Sequence, residues 1–409
     1  MATGKAAEGP LYPVKGVRSA TVRAGIRYPD RRDLVLIELA ADTRVAGVFT
    51  RNAFCAAPVI VAREHLESMQ GIGRYFLMNA GNANAGTGDS GLADARYCCE
   101  AVAQQTGVRA AEVLPFSTGV IGERLPVEKL VKGVRQAVPA LSDDADAWWD
   151  AAAGIMTTDT RPKAYSRQVE IDGQTVTLTG LCKGSGMVRP DMATMLAYVF
   201  TDAGMELSDL QSILNSSVEH SFNRITVDGD TSTNDCCMLA ATGQTGVHLT
   251  PRDEQQWRVF SKALHELTQT MAVSVIRDAE GASKFVTIEV FEGADAQECL
   301  DVAYTIAESP LVKTALTASD PNWGRILAAV GRAGLTHLDI SRVQIHLDDV
   351  CIVENGALAA DYTEAAGQEV MNREDITVTI RLDRGQAHET VWTADLSEEY
   401  VRINASYRS

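Results

Sequence analysis

Segment 183–200 reads KGSGMVRPDMATMLAYVF and decides how the whole chain is interpreted. Two glycines and a serine at 184–186 make a permissive turn beside the cation of Lys183, and a proline then stiffens the approach to Ala193 and Thr194. From Thr194 onward the residues are apolar and favour a strand. A hydroxyl at the head of a buried strand, directly after a constrained loop, suits self-cleavage, because its oxygen can attack the carbonyl that precedes it.

Cleavage between Ala193 and Thr194 would also supply a general base. Seven histidines are scattered through the chain, and none lies in an HExxH or similar spacing. A freed α-amino group has a reference pKa of about 7.7–8.0, so a useful fraction of it is neutral near neutral pH. That amine could take the proton of the hydroxyl on the same residue. The pattern therefore favours an N-terminal nucleophile, although spacing alone is also compatible with an ordinary threonine at the start of a strand.

Composition and charge narrow the class of protein. The chain has 409 residues, of which 45% are hydrophobic and 22% charged, as in ordinary globular proteins. No apolar run is long enough to span a membrane, and the N-terminal residues lack the apolar core of a signal peptide, so we expect a cytoplasmic protein. The formal net charge of −17 argues against nucleic-acid binding. A small anionic substrate stays possible, because a pocket can be basic on an acidic protein.

The sequence indicates no bound cofactor and no metal. The eight cysteines include two adjacent pairs but no CxxC motif, which suits neither a zinc site nor a disulfide framework. The small-residue segment NAGNANAGTGDSG at 79–91 matches neither a P-loop nor a dinucleotide fingerprint. We interpret it as a tight turn with close backbone approach, while anion binding before the helix that follows stays an alternative.

The hydrophobic pattern predicts a mixed α/β fold with antiparallel pairing and no flexible linker. Strands are expected at 34–39 and 76–80, and a hairpin is expected around Asp172-Gly173. Three helices are expected, at 92–105, at 208–223 with Ser208 as the cap, and after Thr250-Pro251. The C-terminal third is expected to return to strands, at 343–347, 350–353, 376–382 and 390–394.

Several further motifs stand in order along the chain. Besides KGSGMVRPDMATMLAYVFTDA at 183–203, they are VAGVFTRNAFCAAPV at 45–59, NAGNANAGTG at 79–88, STGVIGERLP at 117–126, MTTDTRPK at 156–163, VDGDTSTND at 227–235, SDPNWGRI at 319–326 and YVRINASYRS at 400–409. Together they resemble the glutamate N-acetyltransferase (ornithine acetyltransferase) family of arginine biosynthesis. The resemblance covers nearly the whole chain.

The resemblance implies a mixed α/β layered sandwich of the self-cleaving aminopeptidase and ornithine acetyltransferase type. It implies an α chain, 1–193, and a β chain, 194–409, which stay associated and assemble as a heterotetramer of two α and two β chains. The implied activity moves acetyl from N2-acetyl-L-ornithine to L-glutamate by a ping-pong route through acetyl-Thr194. Bifunctional members also use acetyl-CoA as a co-substrate, and the sequence leaves that second donor open.

The family's site residues are carried over onto matching positions. Thr118 and Gly119 correspond to the oxyanion hole, and donors at such a turn suit the charge of a tetrahedral intermediate. Lys183 could pair a substrate carboxylate, and Glu280 could pair the cationic end of ornithine. The positions implied to contact substrate are Thr157 (taken over its neighbour Thr158), Lys183, Thr194, Glu280, Asn404 and Ser409.

Two readings from other classes stay open at this point. A self-cleaving aminopeptidase or amidase would use the same nucleophile but pass its acyl group to water. An uncleaved binding protein for an amino acid would need no nucleophile at all. Trp323 and Arg325, in NWGRI, are also undecided between building the site and packing the core.

Overall fold

The structure, a computed structural model, describes residues 2–5, 9–189 and 195–406. Its strands are β1 Val17–Val22, β2 Leu34–Leu39, β3 Arg44–Phe49, β4 Tyr75–Asn82, β5 Val113–Val120, β6 Lys163–Ile171, β7 Gln174–Lys183, β8 Leu196–Thr201, β9 Gly204–Met205, β10 Ile225–Thr226, β11 Cys236–Ala241, β12 His248–Leu249, β13 Phe285–Gly293, β14 Gln344–Leu347, β15 Val350–Glu354, β16 Ala357–Leu358, β17 Asp375–Arg381 and β18 Ala387–Ala394. Its helices are α1 Ala57–Ser68, α2 Gly88–Thr106, α3 Val127–Ala137, α4 Ala145–Gly154, α5 Leu207–Glu219, α6 Glu254–Arg277, α7 Ala296–Ala307, α8 Pro310–Thr317, α9 Trp323–Gly331, α10 Glu364–Met371 and α11 Glu398–Ala405.

Strand β2 shows why the first part of the chain is layered. Its sequence LVLIEL is apolar on both faces, as expected for a strand covered on both sides. Leu34 and Leu36 pack on the side of helices α2 and α3. Val35, Ile37 and Leu39 pack on the opposite side, against a second sheet. The alternation of successive side chains therefore builds two apolar layers from one strand.

Two sheets face each other in this part of the molecule. One has four strands in the order β1-β2-β4-β5, and the other has five in the order β3-β11-β8-β7-β6. Between them lies an aromatic core in which Phe76 and Phe116 of the first sheet contact Tyr198 of the second, with ring centroids 5.1–5.9 Å apart. Helices α5 and α6 cover the outer face of the five-stranded sheet. The result is a helix–sheet–sheet–helix sandwich.

A third unit follows in the C-terminal part. Its sheet has seven strands in the order β10-β18-β13-β17-β14-β15-β16, with β13 parallel to β17 and antiparallel to β18. Helices α7 to α10 pack on this sheet around a separate apolar cluster that includes Ile288, Val302 and Ile345. A short strand pair, β9 and β12, completes the sheets of the described residues.

The five-stranded sheet joins segments from both sides of the predicted cut. Strands β7 and β8 are antiparallel neighbours, with Lys183 opposite Leu196, so residues 184–195 form the connection between them. Strand β8 is paired in parallel with β11, and β11 pairs antiparallel with β3. Since β3, β6 and β7 precede residue 194 and β8 and β11 follow it, two fragments cut there would share one hydrogen-bonded sheet.

Most expected elements are confirmed, with shifts at their ends. The strands predicted at 34–39 and 76–80 are β2 and β4, and Asp172 and Gly173 form the hairpin turn with φ of 52° and 72°. The helix expected at 208–223 begins one residue earlier and ends at Glu219, and Ser208 does not cap it because Glu206 occupies that position. Helix α6 begins at Glu254, since Pro251 lies in the preceding turn.

No helix in the described part of the chain is long and apolar enough to cross a membrane.

Candidate active site

Thr118 and Gly119 lie near the end of β5, where it runs parallel to β4. The pairing is irregular at Gly81 and Asn82, and Gly119 has φ of 134°. A Cβ atom on Gly119 would lie 2.3 Å from the carbonyl carbon of Gly81. Only glycine fits this close approach of two backbones, which explains the Thr-Gly pair at the turn.

Segment 79–91 is held by its own asparagines. Asn79 Nδ2 donates to the carbonyl of Asn82 at 2.9 Å, and Ser117 Oγ donates to Asn79 Oδ1 at 2.7 Å. Asn84 Nδ2 donates to the carbonyl of Gly91 at 2.9 Å, at the start of α2. These bonds hold the end of β4 against β5, as the interpretation of a tight turn with close backbone approach requires.

The expected site residues that the structure describes line one cavity of about 210 Å³. Its wall comes from the end of β5, the segment before β6, the end of β7, the loop after α6 and helix α11. The predicted residues that line it are Thr118, Gly119, Thr157, Lys183, Glu280 and Asn404. Ala193, Thr194 and Ser409 lie outside the described residues, but Met195, the next residue after Thr194 in the sequence, lines the same cavity.

The Lys183 ammonium is directly coupled to the predicted oxyanion hole. Its Nζ donates a hydrogen bond to Thr118 Oγ1 at 3.1 Å. Because the Thr118 oxygen is the acceptor in this contact, its own hydroxyl proton can be donated to a ligand. A neighbouring cation makes that hydroxyl a stronger donor, so the pair suits an oxygen that gains negative charge.

Glu280 and Asn404 meet across the other side of the cavity. Asn404 Nδ2 donates to Glu280 Oε2 at 2.7 Å, and Glu280 N donates to the carbonyl of Ser185 at 2.8 Å. A Cβ on Gly186 would lie 2.4 Å from a Glu280 carboxylate oxygen, so a larger residue there would displace that carboxylate. The Glu280 residue is only 7% exposed, which distinguishes it from an ordinary loop acid.

Helix α11 brings Asn404 to the cavity by polar contacts, since none of its residues is fully buried. Ser397 accepts a hydrogen bond from Tyr400 N as the helix cap and donates to the carbonyl of Gly281 at 2.7 Å. The Tyr400 hydroxyl donates to Asp228 at 3.0 Å, and burial together with that carboxylate raises the pKa of Tyr400. The C-terminal segment is therefore docked through Ser397, which contacts Gly281, and through Tyr400, which contacts Asp228.

A buried ion cluster lies behind the cavity wall. Lys163 Nζ donates to Asp159 at 2.7 Å and to Asp278 at 2.5 Å, and all three side chains are almost fully buried. Asp159 also accepts from the backbone N–H groups of Thr157 and Gly184, at 3.0 and 2.8 Å. Burial alone would raise the pKa of Asp159, but the charges of Lys163 and Lys183, together with the hydrogen bonds from Lys163 and Gly184, outweigh burial and lower that pKa. This cluster fixes the backbone on both sides of the cavity.

Asp235 is a cavity residue that the sequence analysis missed. It lies at the start of β11, it is 4% exposed, and its Oδ2 atom has no hydrogen-bond partner among the described residues. Burial raises the pKa of Asp235 well above its ordinary value, against the opposing effects of Ser232 and Lys183. The signal was present in the VDGDTSTND motif, where a carboxylate directly precedes an apolar strand.

Thr158 also lines the cavity, and its Oγ1 lies 2.7 Å from Ser185 Oγ. Since Thr157 and Thr158 both face the cavity, the choice of Thr157 over its neighbour stays a prediction.

Trp323 and Arg325 belong to the third unit and not to the cavity. Trp323 packs against the apolar cluster of that unit. Arg325 donates to the carbonyl of Leu311 at 2.8 Å. Both residues therefore contact the third unit in the described structure. In the part of the chain that the structure describes, no group of three or more His, Cys, Asp or Glu side chains could hold a metal ion.

Comparison with known proteins assigns the chain to a family. A model of the ArgJ family matches residues 18–409. The chain is 54% identical to the arginine biosynthesis bifunctional protein ArgJ of Pseudomonas syringae over 410 residues, which cover 100% of both chains. This chain belongs to the ArgJ family.

Two other ArgJ proteins support the assignment. The protein of that name from Methylococcus capsulatus is 54% identical over 399 residues, or 98% of this chain and 97% of its own. A crystal structure of the arginine biosynthesis bifunctional protein argJ from Bacillus halodurans is 36% identical, with a TM-score of 0.50. It covers 52% of this chain and 100% of the solved one. The predicted resemblance and the predicted mixed α/β fold of this type are thus confirmed.

Proposed function

We propose that this ArgJ-family chain transfers the acetyl group of N2-acetyl-L-ornithine to L-glutamate in arginine biosynthesis. The acetyl group is carried as an ester on Thr194, which becomes the N-terminus of a β chain when the chain cuts itself after Ala193. The observation that carries this proposal is the shared cavity. Six residues expected from the family, which come from five separate parts of the sequence, surround it.

The first half-reaction acylates the enzyme. The Thr194 hydroxyl attacks the acetyl carbonyl of N-acetylornithine while its own α-amino group takes the proton. The oxyanion that forms accepts hydrogen bonds from the Thr118 hydroxyl and the Gly119 backbone N–H. Collapse breaks the amide C–N bond, the amine of ornithine leaves with the proton, and an acetyl ester stays on Thr194.

The second half-reaction runs through the same oxyanion hole. The α-amine of glutamate attacks the ester carbonyl, the C–O bond breaks, and the Thr194 oxygen recovers the proton. Lys183 suits the substrate carboxylate, since its ammonium faces the cavity beside Thr118. Glu280 suits the side-chain ammonium of ornithine, which glutamate lacks.

Removing the Thr118 hydroxyl should slow turnover strongly. For Thr118→Val we expect kcat to fall roughly 10²- to 10³-fold, the usual cost of one lost oxyanion donor. Thr118→Ser keeps a hydroxyl at the same position and is the matched control, with most activity retained. Steady-state kinetics with N-acetylornithine and glutamate checks this, and equal rates for the valine and serine variants would contradict the assigned role.

Neutralising Glu280 should change the KM values of the two substrates by different amounts. For Glu280→Gln we expect KM for N-acetylornithine to rise roughly 10-fold or more, since a charged hydrogen bond is lost, while KM for glutamate changes less. Glutamine preserves the shape and can still bond to Asn404. Initial rates with each substrate varied in turn measure both constants. An equal rise in both would speak against pairing of Glu280 with the ornithine ammonium.

Self-cleavage is tested on a denaturing gel of active protein. We expect two fragments, residues 1–193 and 194–409, and one full-length band from active protein would refute it. The fragments should stay together without denaturant, because β7 and β8 are hydrogen-bonded neighbours.

We further propose that the protein is a heterotetramer of two α and two β chains and that it lies in the cytoplasm. Light scattering on the purified, undenatured complex measures its mass and so tests the heterotetramer.

The bifunctional relatives raise the question of a second donor. We propose that acetyl-CoA also acetylates the enzyme. An assay with acetyl-CoA and glutamate, without N-acetylornithine, tests this proposal.

The alternative of a self-cleaving aminopeptidase or amidase is disfavoured by 54% identity to ArgJ over the full length. Product analysis with and without glutamate separates the two, because a hydrolase would release acetate at the same rate in both.

A further inference from the structure

The VDGDTSTND motif at 227–235 holds the segment that leads to the predicted cut. The backbone N–H of Val227 donates to the carbonyl of Val188 at 2.7 Å. Thr231 Oγ1 donates to the carbonyl of Arg189 at 3.1 Å. These bonds fix the backbone up to the last described residue before the predicted cut.

The same stretch of chain also holds the backbone after the predicted cut. Cys236, which directly follows the motif, donates its backbone N–H to the carbonyl of Met195 at 2.9 Å. Cys236 is also the ladder partner of Leu196 in the parallel pairing of β11 with β8. Residues 227–236, which we call the clamp segment, therefore hold described backbone on both sides of the predicted scissile bond.

Asp228 is the side chain of the clamp segment that binds the preceding turn most directly. Its Oδ2 atom accepts the backbone N–H of Met187 at 2.7 Å and the hydroxyl of Tyr400 at 3.0 Å. Its Oδ1 atom accepts the backbone N–H of Val188 at 2.9 Å and that of Asp230 at 3.3 Å. Both carboxylate oxygens are thus engaged, and each binds one of two consecutive backbone N–H groups of the turn.

The turn that Asp228 holds has an unfavourable backbone conformation. Met187 has φ of 52°, in the left-handed region that residues with a side chain rarely adopt and that glycine adopts easily. On the other side of the turn, the carbonyl of Ser185 accepts the backbone N–H of Glu280 at 2.8 Å. External hydrogen bonds, and not the preference of Met187 itself, therefore keep the turn in place.

We propose that Asp228 is a positioning residue for self-cleavage. It holds the turn at 187–188, so that the chain beyond the turn presents the Ala193 carbonyl to the Thr194 hydroxyl. Asp228 acts through the backbone and not through the reacting atoms. This inference rests on the self-cleavage in the proposed function.

The step that Asp228 positions is an acyl shift from nitrogen to oxygen. The Thr194 hydroxyl attacks the Ala193 carbonyl, the peptide C–N bond breaks, and an ester forms between the Ala193 carbonyl carbon and the Thr194 oxygen. The hydroxyl proton goes to the nitrogen, which becomes the α-amine. Water then hydrolyses the ester, which returns the hydroxyl to Thr194 and leaves a carboxyl group on Ala193. Since the attack needs the two groups close and correctly oriented, a displaced turn slows it.

Asp228→Asn tests this role sharply, because an amide cannot accept hydrogen bonds on both sides. Its oxygen can replace one carboxylate oxygen, but its NH₂ group would then face donors in place of the other. Either Met187 or Val188 therefore loses the acceptor of its backbone N–H. Tyr400→Phe is the milder variant, since it removes one donor to Asp228 and keeps both backbone bonds.

The experiment follows self-cleavage of the full-length chain after a short labelling pulse in cell-free translation, on denaturing gels. For Asp228→Asn we expect the first-order rate of cleavage to fall roughly 10-fold or more, as for a lost charged hydrogen bond, and for Tyr400→Phe roughly threefold. Asp348→Asn is the matched control, because Asp348 accepts the backbone N–H of Thr377 at 2.7 Å in the third unit. Its cleavage rate should stay within about twofold of the wild type, less than the loss of a charged bond at the turn would cause.

Two further measurements separate positioning from other roles of Asp228. Urea unfolding in the uncut Thr194→Ala background shows whether each variant is folded under the assay conditions. The kcat for acetyl transfer, expressed per cut chain, should fall far less in Asp228→Asn than the rate of cleavage does.

A folded Asp228→Asn chain that is cut at the wild-type rate would overturn the proposal. So would equal slowing in Asp348→Asn, or an equal fall of the cleavage rate and of kcat per cut chain, since Asp228 would then support the whole cavity. If Asp228→Asn does not fold, cleavage of Tyr400→Phe at the wild-type rate overturns the proposal. A wild-type chain that stays uncut contradicts the proposed self-cleavage itself.

Discussion

Thr194→Ala should yield one uncut chain with no acetyl transfer. Alanine lacks the oxygen that attacks the preceding carbonyl, so the peptide bond stays intact and no α-amino base is released. The same oxygen would carry the acetyl group, so cleavage and transfer should be lost together. A denaturing gel and an assay with N-acetylornithine and glutamate measure the two consequences on one preparation.

Thr194→Ser is the matched control for that result. It keeps the hydroxyl and loses only a methyl group, so we expect partial cleavage and partial transfer. Normal turnover by Thr194→Ala would show that another residue carries the acetyl group. If the Thr194→Ser chain were uncut yet fully active, cleavage would not be needed for the nucleophile to act. A group other than the freed α-amine would then have to be the base.

Replacing Lys163 should lower the free energy of unfolding far more than replacing a residue of an exposed ion pair. In Lys163→Met, Asp159 and Asp278 lose the cation between them in a fully buried place, which typically costs about 3–5 kcal/mol. Urea unfolding in the uncut Thr194→Ala background, where one chain unfolds, compares the free energies of unfolding. Arg96→Gln removes an exposed ion pair and should cost less than about 1 kcal/mol. A similar small loss for Lys163→Met would contradict the importance of the cluster.

The same cluster predicts the direction of acid sensitivity. The pKa of Asp159 is lower in the folded chain than in the unfolded one, because the charges of Lys163 and Lys183 and the hydrogen bonds to Asp159 together outweigh the effect of burial. The unfolded chain therefore binds more protons as the pH falls below the ordinary aspartate range, and folding loses that contribution. We expect the urea midpoint to fall from about pH 5 downward, and to fall less steeply in Lys163→Met.

Strands and turns could be predicted where they depend on the residue types of a short segment. The LVLIEL run of β2 has apolar residues on both faces, and Asp172-Gly173 accepts the left-handed backbone that a two-residue hairpin needs. Helix ends were predicted less well. Glu206 precedes α5 where Ser208 was expected to cap it, because packing of the apolar face set the first turn.

The site could be predicted only through the family resemblance. Glu280 has the residue type of a solvated loop acid, and its burial depends on contacts with distant segments such as the one that carries Asn404, 124 positions away. In the Lys163 cluster, Lys163 and Asp278 lie 115 positions apart, and no local pattern marks such a pair. Asp235 directly precedes an apolar strand in the sequence, but its burial depends on the cavity that other elements build.

The most direct test of the account is the intact mass of the β chain after incubation with N-acetylornithine in the absence of glutamate. We predict that fragment 194–409 gains one acetyl group, that digestion places it on Thr194, and that added glutamate removes it. An unmodified fragment from enzyme that turns over both substrates, or an acetyl group on any other residue, would contradict the central claim.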